Sequence, residues 1–190
     1  QLLAADELAT ISTASPRREP DATRELAIRL IEVLLGDDCQ AIVVAVGDTL
    51  AAGTAPKILS AVIAYAAALR LARFSASNDV GDWFSAQHTF IFANAVDRAV
   101  RRNPTPQTVA AIVQAALAVY ADRFLNVPPA KLPHETDGLK ALPSDPQKLL
   151  ERLLFTLDRR SIPGEADALT ARYLQVGGSL KQLIDTLTYA

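Results

Sequence analysis

The 190-residue sequence has no methionine, one cysteine, one tryptophan and only eight glycines. A single thiol, Cys39, excludes an intramolecular disulfide framework and any four-cysteine metal site. It follows two aspartates, whose charge works against a nucleophilic thiolate. Neither sign of charge dominates: 19 basic against 21 acidic side chains give a net charge of −2. That excludes the broad basic surface by which proteins neutralise nucleic-acid phosphates. The uncharged run Ile58–Leu69 covers 12 residues, short of the roughly 20 that a spanning helix needs. No N-terminal segment joins a basic start to an apolar run, so no secretory signal is expected. Glycine-rich phosphate loops, Gly-x-Ser-x-Gly and His-Glu-x-x-His are all missing. A cytoplasmic protein that engages neither nucleic acid nor membrane is the expectation. Without methionine even at position 1, the chain is expected to begin inside a gene product. Otherwise modified methionines have dropped out, and a spacing across one would be short by one.

What is present is helix-forming sequence. Half the residues are hydrophobic, and alanine (34) with leucine (26) dominates them. Both residues favour helices, and β-branched residues nowhere alternate with polar ones. Aspartate, serine, threonine and proline stand where helix starts need them. The spacing predicts a short helix near Leu2–Ile11, then one from Asp21 as cap to Leu35. Further helices are predicted from Asp38 to Ala52, from Thr54 and Pro56 to about Ala76, and from Asp82 as cap to about Arg102. Thr105 caps the next, to Leu125. The segment 126–145, with Pro128, Pro129, Pro133 and Pro143, reads as an irregular connection, a length of loop that commonly links halves or carries function. Helices follow from Asp145-Pro146, from Pro163-Gly164 to Val176, and from Ser179 to Ala190. The fold class is all-α, a bundle of about eight helices. Residues 1–125 form a first half, 126–145 a connection and 146–190 the start of a second half, or the whole makes one domain.

An internal repeat supports that division. Leu50, Gly53, Lys57, Leu59, Tyr65 and Ala66 recur as Leu174, Gly177, Lys181, Leu183, Tyr189 and Ala190, with Ile63 answered by Leu187. The pattern is a helix ended by glycine, a short turn and a second helix. Two unrelated alanine-rich hairpins would share much of it. If the copies are related, the second lacks its counterpart of Phe74–Arg102, and the chain reads as cut.

The most unusual stretch is Asn78–Asn94, with the only tryptophan, Trp83, with Phe84, Phe90 and Phe92, and with His88. On a helix, His88 shares a face with Phe84, Ser85, Ile91, Phe92 and Ala95. An imidazole on an aromatic face is a candidate metal or haem ligand, or a general base if buried. The plainer alternative is a core histidine with one nitrogen bonded to a backbone carbonyl. No acidic residue lies three or four positions from His88, so the di-iron Glu-x-x-His pattern is absent. Trp83, Phe84, His88, Phe92 and Asn94 are the candidate pocket residues. A metal or haem is the cofactor class they would suit. His134, beside Glu135 and Asp137, reads as a solvated loop residue. Arg98, Arg101 and Arg102 complement a helix C-terminus.

Ala66–Asn94, with Asn-Asp-x-Gly-Asp-Trp…His-Thr-Phe-x-Phe-Ala-Asn, and Tyr120–Pro133, with Arg-Phe-Leu-Asn-x-Pro-Pro, resemble a helical domain of bacterial Rieske [2Fe–2S] proteins. The resemblance implies a helical partner region of an oxidoreductase or electron-transfer protein, continuing past Ala190 with another histidine-bearing aromatic helix. This chain holds no [2Fe–2S] ligand set, having one cysteine and no Cys-x-His, so any cluster would lie in a separate domain. The hairpin Leu50–Ala68 is similar to carboxymuconolactone decarboxylase-like proteins, whose redox-active members carry Cys-x-x-Cys; none occurs here. Two functions are therefore expected in competition. One is the helical part of an oxidoreductase with His88 in an aromatic pocket, served by a Rieske-type domain. The other is a non-catalytic structural or interaction domain, homodimeric through its alanine-rich helices.

Overall fold

Alanine- and leucine-rich segments, most of them opened by an oxygen-bearing side chain or a proline and Glu165–Gln175 by Gly164, form eight α-helices and no strand among the described residues. The computed structural model describes residues 20–74, 78–125, 129–135, 137–159 and 164–189; the helix expected near Leu2–Ile11 lies outside them. The helices are α1 (Pro20–Leu34), α2 (Cys39–Ala51), α3 (Pro56–Ala72), α4 (Val80–Arg102), α5 (Pro106–Ala121), α6 (Pro146–Asp158), α7 (Glu165–Gln175) and α8 (Leu180–Tyr189). The chain divides into two compact units, residues 1–130 and 131–190.

The first unit packs α1–α5 around one core. Leu34, Ile42, Val46, Leu50, Leu59, Ile63, Ile112 and Val119 supply much of its buried apolar surface, with Ala66, Ala67, Ala93, Ala115 and Ala116 between them. Those alanines let α3, α4 and α5 approach closely. α3 and α4 run antiparallel in one register along their length. Phe74 meets Trp83 edge-on at 5.1 Å, and at the other end Ser60 Oγ donates to Asp97 Oδ1 at 2.8 Å. α5 with its following 3₁₀ turn, Pro106–Leu125, is long and apolar enough to cross a membrane by length and composition. The uncharged run Asn103–Ala121 is thus longer than Ile58–Leu69. Its Val109, Ile112, Val113, Ala115, Ala116 and Val119 are buried in this unit's core.

In the second unit, α6, α7 and α8 gather Leu149, Leu150, Leu153, Leu169, Tyr173 and Leu183 into a small core. The segment expected to be irregular contains two 3₁₀ turns, Pro133–Glu135 and Asp137–Ala141, which pack against α7. The double glycine after α7 splits two tasks. Gly177 takes φ 81°, a backbone state costly for other residues. A Cβ on Gly178 would run into the ring of Tyr173, whose hydroxyl donates to Ser179 O at 3.0 Å.

Several boundaries differ from expectation for local reasons. α1 starts at Pro20, so Asp21 lies in its first turn rather than at its cap. α3 starts after Ala55 with Pro56 at its first position and ends at Ala72, not near Ala76. α4 is capped by Asp79, whose Oδ1 accepts from Asp82 N at 3.0 Å; Asp82 sits in the first turn. Asp38, Thr105 and Asp145 do cap α2, α5 and α6. The glycine turns of the proposed repeat share their backbone bonds, Gly53 N to Leu50 O and Gly177 N to Leu174 O. That pattern is common to glycine-ended helices. Burial agrees at some matched offsets, with Leu59 and Leu183 buried and Tyr65 and Tyr189 exposed, and diverges at others, where Leu50 and Ile63 are buried and Leu174 and Leu187 exposed.

Candidate functional site

α4 carries two opposite stripes. Its inner stripe, Ala86, Ala93, Val96 and Val100, is buried in the first unit. Its outer stripe bears the aromatic segment. Val80 is 71% exposed, Phe84 55%, Ile91 62% and Phe92 39%, and His88, Ala95, Arg98 and Arg102 are exposed along the same side. Of the expected pocket residues, Phe84, His88 and Phe92 therefore face solvent rather than an enclosed cavity. Trp83 and Asn94 are half-buried at the flanks. Trp83 packs on Phe74, and Asn94 Nδ2 donates back to Phe90 O at 2.8 Å.

His88 is not the core histidine of the plainer reading either, although one nitrogen does bond a backbone carbonyl. Nδ1 lies 2.7 Å from Phe84 O. A carbonyl only accepts, so Nδ1 carries the hydrogen, and in the neutral ring Nε2 keeps its lone pair. The Phe84 ring stands 6.4 Å away, tilted by 42°. An imidazole oriented in this way has the support that metal-bound histidines receive. Yet no group of three or more His, Cys, Asp or Glu that could hold a metal occurs among the described residues. His134 is exposed on its 3₁₀ turn, and Cys39 is exposed at the start of α2.

Sequence reasoning missed two further features. A groove of about 450 Å³ lies between α1, α3 and α4, floored by Ala27, Ile31, Ile58, Ala61 and Val62 and edged by Thr23, Lys57, Tyr65 and Arg101. Arg101 Nε is held 2.7 Å from Asp97 Oδ2. The groove draws on three helices, and no single stretch of sequence carries its signature. The second feature is a buried charged pair. Arg70 on α3 and Asp122 after α5 are both under a tenth exposed. Arg70 Nη2 donates to Leu35 O at 3.3 Å, tying α3 to the end of α1. Burial lowers the Arg70 pKa, against the attraction of Asp122 and Asp37. Burial likewise raises the Asp122 carboxyl above the usual carboxylate range, opposed by a hydrogen bond from Thr89 and by Arg70. A charged residue inside an alanine-rich helix, as Arg70 is, could have flagged this site.

Comparison with known protein families, curated proteins and solved structures finds no match to the chain.

Proposed function

We propose that this chain is a non-catalytic interaction domain that engages a partner through the outer face of α4. One observation carries the reading: four large apolar side chains, Val80, Phe84, Ile91 and Phe92, stand exposed on one side of a single helix. Single exposed apolar residues are ordinary, whereas several gathered on one side of a helix favour an interaction surface. The oxidoreductase alternative asks His88 to serve as ligand or base, and its neighbours supply neither an acidic partner nor an enclosed space.

The test is photocrosslinking from a benzophenone amino acid placed at Ile91, with the same probe at exposed Gln40 on α2 as control. A discrete adduct from position 91, absent from position 40 and lost with Phe84→Glu, is expected. No adduct overturns the reading. Metal analysis and an optical spectrum of the purified protein give the second check. Stoichiometric iron or haem bands, abolished by His88→Ala, would restore the oxidoreductase in its place.

A further inference from the structure

We propose that the groove between α1, α3 and α4 binds a free medium-chain carboxylic acid, a function separate from the interaction face on the outer side of α4. Its polarity runs lengthwise. α3 and α4 are antiparallel, with Ser60 Oγ donating to Asp97 Oδ1. Lys57 and Arg101, each about one turn further out on its helix, therefore border the same end of the groove. α1 runs in the same direction as α3, since Arg70 Nη2 reaches Leu35 O where the two helices finish. Thr23 thus lies at the cationic end, and Ile31 at the far end with Tyr65. Between the ends the walls are hydrocarbon, from Ala27, Ile58, Ala61 and Val62. Ala27 on α1 and Ala61 on α3 leave open the space that larger side chains would fill.

The charged end selects the head group. Arg101 gives its Nε hydrogen to Asp97 Oδ2 at 2.7 Å, while Ser60 occupies Oδ1 of the same carboxylate. Lys57 Nζ joins no ion pair among the described residues. Lys57, Arg101 and Asp97 together carry one net positive charge, the complement of a monoanion. A carboxylate can accept from the ammonium and from the remaining guanidinium hydrogens at once. A phosphate ester near neutral pH brings additional negative charge that this end does not balance. The tail is set by the rest of the groove. Lys57 and Tyr65 are about 12 Å apart along α3, the reach of a medium-chain tail, and a longer one would pass Tyr65 into water. The volume of about 450 Å³ is that of a small-molecule site.

Isothermal titration calorimetry of the full chain with decanoate, kept below its micelle concentration, should show saturable one-to-one binding. Decanol, with the same tail and no charge, should bind about tenfold more weakly. Lys57→Gln combined with Arg101→Gln should remove that difference while leaving decanol binding in place. Ala61→Phe and, independently, Ala27→Phe fill the floor and should abolish binding of both probes, with the helical circular dichroism retained. No saturable binding of decanoate, or binding that survives both phenylalanine variants, would overturn the site. Equal affinity for decanol, or tighter binding of decyl phosphate, would overturn the carboxylate. A benzophenone amino acid at Tyr65 that crosslinks to a second copy of the chain, undiminished by decanoate, would give the groove to a polypeptide and overturn the acid.

Discussion

At the scale of single residues, the Arg70–Asp122 pair is the place where burial outweighs charge. Taking an ion out of water is costly, and attraction between buried partners only partly returns the cost. For Asp122 the result is a native carboxyl that holds its proton at pH values where the unfolded chain has released it. The native state then binds more protons than the unfolded state across that window, so stability falls as pH rises through it. The contribution is fully present below the usual carboxylate range and is lost once the pH passes the raised native value. Urea unfolding of the parent chain and of Asp122→Asn between pH 4 and 7 isolates the effect. Asparagine keeps an acceptor for Thr89 and cannot ionise. The stability of the parent relative to the variant should decline with rising pH across the interval, whatever the constant offset between them. A relative gain would mean that Arg70 and Thr89 dominate over burial.

At the scale of helices, the sequence made existence and type legible and left the first residues of some of them open. Local chemistry decided the caps that were read correctly: Asp38, Thr105 and Asp145 each have an oxygen placed for the free amides that follow. The start of α4 offered two aspartates three residues apart, and composition alone does not choose between them. The backbone does, since Asp79 is extended (φ −73°, ψ 168°) while Asp82 lies within the first turn. Asp79→Ala should therefore cost about 1 kcal/mol. Asp82→Ala should cost about 0.5 kcal/mol, from the helix dipole. Denaturant titration of both variants ranks them, and the reverse order would return the cap to Asp82. The candidate site was legible in composition but not in direction. Periodicity puts Phe84, His88, Ile91 and Phe92 on one face; which face turns inward is set by the opposite stripe, Ala86, Ala93, Val96 and Val100. Small alanines and valines packed closely against α3 and α5 hold that stripe in the core, leaving the larger aromatics outside. The Arg70–Asp122 pair and the α1–α3–α4 groove depend on residues far apart in sequence, which no local pattern joins.

At the scale of the whole chain, the two units are unequal in what they bury. The first draws a broad core from five helices, whereas the second has a cluster of six buried apolar side chains on three helices, with Leu132 and Leu139 buried on the segment before them. A domain of about 60 residues buries a smaller share of its surface than a larger one and is correspondingly marginal. The second unit also leaves Leu154, Phe155, Leu180, Ile184 and Leu187 exposed. Three of these, Leu180, Ile184 and Leu187, recur at helical intervals on α8. Its hold on the native state rests heavily on a few groups, Tyr173 above all, which fills the space left by Gly178. Expressed separately, residues 1–130 should melt in one cooperative transition with helical circular dichroism. Residues 131–190 should show helix with a broad, shallow melt and should bind a hydrophobic dye at temperatures where the larger fragment does not. A sharp transition in the smaller fragment, with a denaturant slope matching its size, would show that so small a core suffices for cooperative folding.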